Sequence, residues 1–514
     1  MRRALQVVWF AAVGASVGLA GQAQEPYSVW VAPSSIKVLR DSPAPTTRPA
    51  ACLQAARREH EAIQIVIRAN TQPLQRVQVT AAPWQGPGSD SKLTTTLHRV
   101  DYVHLKWYKT DYPDPLPPWT PTDVPAGQNQ PVWVDVAIPP DARPGEHRST
   151  VRIQPEGLNP VEVRLSLTVW DFALPETPHL RTALGISGQF IAQSHDVEPG
   201  SPAHRALVAK YYEALLERRI SAYAPPMPVT SPEAIKYLAD PRCTGFVIPY
   251  SDDEAQLRRT IETLRKHGVL GKGYFYVVDE PVTRDQYERL KTVCRTIHRV
   301  DPKLKIVAPY FRNGDFEPKS DIYALLTGYI NIWCYNTGFY GAYPQEKALA
   351  ERRAAGEETW SYVCCGPGKP YTNFFIEMDA LAHRLLFWQQ RLHQCSGFLY
   401  WSTTYWNPNS TKDPWTDMAT VKDINVNTYG DGSLFYPGKK VGVDGPVTSI
   451  RLEMAREGLE DIEYLWLYEQ KHGPQATEAL IRRVTTGWSR FTTNPAEVEQ
   501  VRQTIAAALT PPHG

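Results

Sequence analysis

Asp279 and Glu280 stand side by side after the run Tyr274-Phe275-Tyr276-Val277-Val278, and Pro281 follows them. The apolar, aromatic run reads as a short buried strand. Pro281 has no N–H to donate, so strand pairing cannot continue past it. Two carboxyls at the end of a strand buried on both faces are costly unless they are solvated, paired or put to use. Adjacent acids also raise each other's pKa, because their ionised forms repel. One carboxyl can thereby stay protonated near neutral pH, which is what general acid catalysis requires. The competing account is structural: a loop-start acid pair that caps the next helix.

The surrounding pattern says what must position this pair. From Leu180 onward, strand-like runs alternate with helical ones. Eight strand candidates are expected, at 180–187, 220–225, 245–250, 273–279, 305–311, 328–335, 358–364 and 397–402. Thr283 opens a capping box with Gln286, and Tyr287, Leu290, Val293, Ile297 and Val300 follow at helical spacing. Eight alternations predict an α/β fold with a (β/α)8 TIM barrel; an open sheet of seven or eight strands is the alternative. Barrel active sites lie at the C-terminal ends of the strands, where Asp279 and Glu280 fall. Before the barrel, 62–68, 132–138, 146–153 and 161–169 read as strands separated by Pro139-Pro140 and Pro144-Gly145, which predicts an N-terminal antiparallel β-sandwich. The expected divisions are a signal segment at 1–23, the sandwich at 24–172, the barrel at 173–475 and a C-terminal helical tail at 476–514.

Other acids at strand ends have simpler readings. Ser251-Asp252-Asp253-Glu254 fits a helix cap with acids in the first turn. Asp315 and Glu317 fall in a Gly/Pro-containing loop and read as solvated. Aromatic residues gather at the same end of the predicted barrel. The sixth candidate strand ends Trp333-Cys334-Tyr335-Asn336, the seventh carries Trp360 and Tyr362, and the eighth runs through Tyr400-Trp401 towards Tyr405-Trp406-Asn407. Half of such a set should point into the barrel wall by alternation, and the remainder can line a sugar-sized pocket. The long stretch 403–447 has little periodicity but many aromatic residues, which favours a functional loop. It inclines the reading towards an enclosed pocket.

Composition narrows the function class. Met1 to Ala23 reads as a secretory signal, with Arg2 and Arg3, an apolar run Ala4 to Ala20 and a small-residue site Gly21-Gln22-Ala23. A secreted or periplasmic protein is expected, with an uncleaved anchor as the alternative and no cysteine placed for a lipid anchor. The net charge of +1 becomes −1 without the two arginines, and no basic block interleaves with aromatics, so a nucleic-acid partner is not expected. The 15 Trp and 26 Tyr suit both cores and sugar faces. The 7 cysteines include the vicinal pair Cys364-Cys365; an odd count is not a disulfide framework, and buried free thiols are expected, with a strained vicinal disulfide between Cys364 and Cys365 as the alternative. No metal, nucleotide-phosphate or serine-hydrolase motif is present, so no cofactor is expected.

The Asp-Glu-Pro motif resembles the catalytic pair of glycoside hydrolase family 123, the β-N-acetylgalactosaminidases. Gly397-Phe398-Leu399-Tyr400-Trp401, Gly430-Asp431-Gly432, Tyr436-Pro437-Gly438, Ser449-Ile450-Arg451 and Arg456 through Leu465 resemble that family's C-terminal half. The resemblance covers roughly residues 170 to 470, and the preceding sandwich fits the same layout. It implies substrate-assisted hydrolysis, with Glu280 as general acid/base and Asp279 as partner of the substrate's 2-acetamido group. This chemistry suits neighbouring acids, because ordinary retaining enzymes need two carboxyls about 5–5.5 Å apart across the bond. As further expectations, Tyr335 would hydrogen-bond the acetamido carbonyl. Trp360 and Trp401 would wall the acetyl methyl or sugar face, Asn336 and Tyr362 would contact hydroxyls, and Trp333 and Tyr405 would complete the substrate-binding set. The expected activity is retaining exo-hydrolysis of terminal β-linked N-acetylgalactosamine from a glycan or glycolipid. The alternatives are another β-hexosaminidase, an endo-acting galactosaminidase, or a non-catalytic carbohydrate-binding protein.

Overall fold

Val132, Val134 and Val136 alternate with Trp133 and Asp135 along the strand Asn129–Ile138, and each set has its own neighbours. The valines join Ile63, Ile65 and Ile67 in a core shared with Val151, Ile153, Leu165 and Leu167 of a second sheet. In the computed structural model, which describes residues 25–45, 50–87, 92–316, 321–342, 345–407, 413–418 and 428–510, this is the predicted sandwich. The signal segment 1–23, Glu317 and parts of the 403–447 stretch lie outside the described residues.

The first sheet is antiparallel and ordered Tyr27–Pro33, Glu59–Ala69, Asn129–Ile138, Thr94–Arg99. The second is ordered Ala51–Arg57, Val161–Ala173, Gly145–Gln154, Leu74–Ala81, Thr122–Val124. It corrects the purely antiparallel expectation, because Val161–Ala173 runs parallel to Ala51–Arg57. The chain leaves Ala51–Arg57 through Arg58, at a left-handed φ of +63°, and enters the other sheet at Glu59. That abrupt switch fixes the direction of Ala51–Arg57.

The outer face of the first sheet is not solvated. Trp133 packs on Ala380, Ile450 and Met454, and Asp135 accepts from Arg456 at 2.7 Å. Ile450 and Arg456 belong to the long helix Ile450–His472, started by Ser449 accepting from the Leu452 N–H. Its first sixteen residues, through Leu465, are all buried although seven of them are charged. The charges are paired: Arg456 with Glu453 at 2.8 Å, Arg384 with Asp461 at 2.6 Å, and Arg502 with Asp461 at 3.1 Å. Arg502, on the helix Pro495–Leu509, also reaches Glu59 and Glu61 of the sandwich at 3.0 and 2.9 Å. Arg451 likewise binds Asp114 at 2.8 Å, with both side chains fully buried.

Among the described residues the barrel region holds seven parallel strands where eight are expected. Their order is Arg181–Leu184, Gly397–Tyr400, Glu358–Val363, Ile332–Asn336, Ile306–Tyr310, Gly273–Tyr276, Phe246–Val247. The missing member, predicted at 220–225, is reduced to a single parallel bridge between Ala222 and Leu184. The Tyr223 N–H donates to Leu184 O at 2.9 Å, and the Val247 N–H donates to Tyr223 O at 2.7 Å. This segment therefore occupies the gap in a nearly closed ring without forming a strand.

The capping box at Thr283 and Gln286 is formed and starts the helix Arg284–Val300. The cap near Ser251 moves: Asp253 accepts from the Ala255 and Gln256 N–H groups to start Glu254–Lys266, while Ser251 accepts from the Asp253 N–H. Aspartate is as good an N-cap as serine, and here it is the residue next to the helix.

Candidate active site

Alternation along the barrel strands sorts the aromatic residues. Ala183, Tyr274, Val307, Ile332, Cys334, Trp360, Tyr362 and Leu399 meet inside the ring. Ile306, Ala308, Tyr310, Trp333, Tyr335 and Phe398 face the helices. Two expectations are corrected by this parity. Tyr335 is fully buried outside the ring, where its hydroxyl meets Cys395 Sγ at 3.2 Å. Trp333 points the same way, stacks on Tyr323 and donates to Glu357 at 2.6 Å.

Trp360 points inward but lies too deep for a sugar. It is fully buried at the strand's N-terminal end, edge-on to Tyr274 and hydrogen-bonded to Glu358 at 2.9 Å. Gly397 makes room for it, since a Cβ there would sit 2.3 Å from the indole. Trp360 is thus part of the barrel's packed interior. Asn336 is a brace: its amide donates to Gly366 O at 3.3 Å and its carbonyl accepts from the Gly338 N–H at 2.9 Å.

The strand Gly273–Tyr276 ends earlier than expected, so Asp279 and Glu280 sit in the loop just beyond it. That loop is pinned at its far end. Gln286 Oε1 accepts from the N–H groups of Val282 and Thr283, both at 2.9 Å, and Val282 O accepts from the Asp315 N–H at 2.7 Å. Glu280 has a left-handed φ of +43°, a conformation that costs a non-glycine residue about 1–3 kcal/mol and clusters at functional sites.

The two carboxyls have different surroundings. Asp279 is exposed, and its Oδ1 accepts from the Tyr276 hydroxyl at 2.7 Å. Glu280 is half-buried, and its Oε1 accepts from the Tyr362 hydroxyl. Burial pushes the Glu280 carboxyl above its ordinary range, the Tyr362 bond pulls it down, and the neighbouring Asp279 raises it again. The pair therefore presents one carboxyl suited to donate a proton and another open to accept a hydrogen bond.

Beside Tyr362 on the ring, the last strand brings Trp401, half-buried and 4.7 Å from the Tyr405 ring. Trp401 donates to Asp431 Oδ1 at 3.1 Å, and the Tyr400 hydroxyl donates to the same oxygen at 3.0 Å. Burial pushes the Asp431 carboxyl up to about 6. Its Oδ2 has no hydrogen-bond partner among the described residues. Cys364 and Cys365 lie between these groups, with sulfurs 3.8 Å apart and unbonded, and Cys365 feels the charges of both Glu280 and Asp431. Tyr362 thus meets the acid pair directly and Trp401 and Tyr405 stand with Asp431 on the neighbouring strand end, whereas Trp333, Tyr335 and Trp360 are packed elsewhere.

Sequence reasoning missed Tyr276, Tyr223 and Asp431. Tyr276 stands three residues before its partner Asp279. Tyr223 packs edge-on to Tyr276 from the segment that was expected to be a full strand. Asp431 sits in Gly430-Asp431-Gly432, where both glycines have positive φ and Gly432 lies under the Trp401 ring. Among the described residues no His, Cys, Asp and Glu cluster could hold a metal ion, and no helix is long and apolar enough to cross a membrane. Cavities of about 370 and 480 Å³ lie between sandwich and barrel, lined by residues such as His98 and Lys210 or Arg58 and Arg219, away from the acid pair.

Residues 250–468 match the family model for the glycoside hydrolase 123 catalytic domain. Among solved structures, a family 123 glycoside hydrolase from Clostridium perfringens, studied for glycolipid glycan hydrolysis, is similar at 13% identity and a TM-score of 0.68, covering 94% of this chain and 97% of that one. A GH5 xyloglucanase from Bacteroides ovatus matches at 10% identity and a TM-score of 0.26, over 84% of this chain and 100% of that one. No curated protein matches the sequence.

Proposed function

We propose, for a chain that belongs to glycoside hydrolase family 123, that it is a retaining exo-β-N-acetylgalactosaminidase working by substrate-assisted catalysis. The observation that carries the reading is the contrast within the pair: Glu280 half-buried under Tyr362 with its carboxyl pushed up, Asp279 exposed and held by Tyr276. Neighbouring carboxyls in one loop are poorly placed to flank a glycosidic bond. They are well placed to serve a nucleophile that the substrate itself brings.

In the first step Glu280 gives its proton to the glycosidic oxygen. The acetamido carbonyl oxygen attacks the anomeric carbon as that bond breaks, and the alcohol leaves. Asp279 accepts the acetamido N–H and offsets the positive charge of the oxazolinium ring. In the second step the Glu280 carboxylate takes a proton from water, whose oxygen attacks the anomeric carbon. The ring opens, the acetamido group is restored, and the configuration is retained. Tyr362 and Tyr276 orient the two acids, and Trp401 with Tyr405 forms the aromatic wall of the pocket.

The test is release of nitrophenol from the β-N-acetylgalactosaminide, the β-N-acetylglucosaminide and the plain β-galactoside, with Glu280→Gln as control. Activity confined to the first and lost in the variant supports both substrate and mechanism. Turnover of the plain galactoside would exclude an obligatory acetamido nucleophile.

A further inference from the structure

Trp107 is 60% exposed, the highest among the described large hydrophobic residues that face solvent. It sits in the turn of a two-stranded hairpin, Tyr102–Leu105 with Thr110–Pro113, that projects from the sandwich region. An indole left in water contributes nothing to a core, so its position needs another account.

The hairpin is clamped onto the barrel's loops. Val103 and Leu105 pack with Ile376, Trp415, Met418, Tyr429 and Tyr436. The Trp107 N–H donates to the Tyr429 hydroxyl at 2.9 Å, and Lys106 binds Asp417 at 3.0 Å. Tyr429 is itself tied to the loop after Glu358–Val363, since Ile376 N–H donates to Tyr429 O at 2.9 Å. Those are the loops that carry Cys365, Trp401 and Asp431. Only Gly430 separates Tyr429 from Asp431, a span of at most about 7 Å between their Cα atoms. The hairpin tip that carries the exposed indole is therefore fastened, through the Trp107 backbone N–H and Lys106, to the loops that surround the candidate active site.

We propose that Trp107 is a stacking platform for a pyranose on the leaving-group side of the cleaved bond, so that the sandwich region extends the substrate site. This rests on the proposed glycosidase function. A sugar's C–H face suits one flat ring, while its hydroxyls stay in water. A protein partner needs on the order of 800 Å² per side. The patch here is two residues, Trp107 and the 38% exposed Tyr108, and the other exposed hydrophobics, Ile36, Val161 and Phe311, belong to separate segments.

The experiment compares the full chain with Trp107→Ala and Trp107→Phe on two substrates. One is the nitrophenyl β-N-acetylgalactosaminide, which has no sugar as leaving group; the other is a tetrasaccharide ending in β-linked N-acetylgalactosamine. The expected result is a roughly three- to tenfold fall in the ratio of kcat/KM, tetrasaccharide over nitrophenyl glycoside, for Trp107→Ala, with partial rescue by Trp107→Phe. An unchanged ratio would overturn the proposal, because a merely structural role lowers both substrates together. Calorimetric titration of the tetrasaccharide into Glu280→Gln, with and without Trp107→Ala, reads binding independently of turnover. If the wild type cleaves neither substrate, the proposed function falls. In that event weaker binding on losing Trp107 supports the platform, and equal or absent binding rejects it.

Discussion

Tyr362, on the ring strand Glu358–Val363, donates its hydroxyl hydrogen to Glu280, which comes from the loop after Gly273–Tyr276. The contact spans the barrel mouth, because two strands, Ile332–Asn336 and Ile306–Tyr310, separate the two elements in the sheet. It favours the carboxylate over the acid, against the effects of burial and of Asp279. A general acid must be protonated, so activity falls as pH rises through the raised Glu280 pKa. Tyr362→Phe removes the donor that favours the charged form, so the basic limb of kcat/KM against pH should move upward. A limb that stays put or moves downward would remove Tyr362 from this role.

Tyr276→Phe frees Asp279 from the Tyr276 hydroxyl that anchors it while leaving the carboxylate in place. Misaligning a group that must hold a nucleophile forfeits proximity. We expect a loss in kcat on N-acetyl substrates of about tenfold, with Asp279→Asn costing about a hundredfold or more. Steady-state kinetics on the nitrophenyl glycoside read both. Equal kcat in Tyr276→Phe and wild type would show that Asp279 is positioned by other means.

Tyr335→Phe should leave kcat and KM within about twofold of wild type, because its hydroxyl meets Cys395 outside the ring. The change should appear in stability, as a loss of about 1 kcal/mol in chemical denaturation. A large kinetic defect with normal stability would place the side chain in the site after all.

Much of this arrangement was legible in the sequence, and the failures have a shared cause. Thr283 with Gln286 marked the next helix, because a capping box is a local signal, and Pro281 and the acids beside it marked the turn out of the strand, though pairing stops already at Tyr276. Strands buried on both faces carry no polar alternation, so nothing in Trp333-Cys334-Tyr335-Asn336 revealed that Cys334 faces inward and its neighbours outward. The same applies to depth: Trp360 and Tyr362 share a face, and only the pairing of Trp360 with Gly397 shows which lies at the floor. Asp431 lies thirty residues beyond its partner Trp401, a link that long-range packing creates. In the sandwich strand Asn129–Ile138, Trp133 and Asp135 meet a helix, another contact that long-range packing creates.

Arg502→Met should destabilise the protein by about 3–5 kcal/mol, because it strands the buried Glu59 and Glu61 without their cation and leaves Asp461 with Arg384 alone. Denaturation midpoints at neutral pH check the size. A loss under 1 kcal/mol would mean that the remaining arginines and protonation of the glutamates absorb the change.

The arginines at 451, 456 and 502 find carboxylates in the N-terminal third of the chain, at Asp114, Asp135, Glu59 and Glu61. Cutting the polypeptide near residue 172 would strip Arg451 of Asp114 and would take from Arg456 and Arg502 part of their carboxylate partners, while the sandwich fragment would keep Asp114, Glu59 and Glu61 buried without their arginines. Neither piece is a module that could be shuffled intact between proteins. Expressed apart, they should be insoluble, and heated together they should melt in a single cooperative transition. A relative that dispensed with the sandwich would first have to rewrite the face of its longest helix.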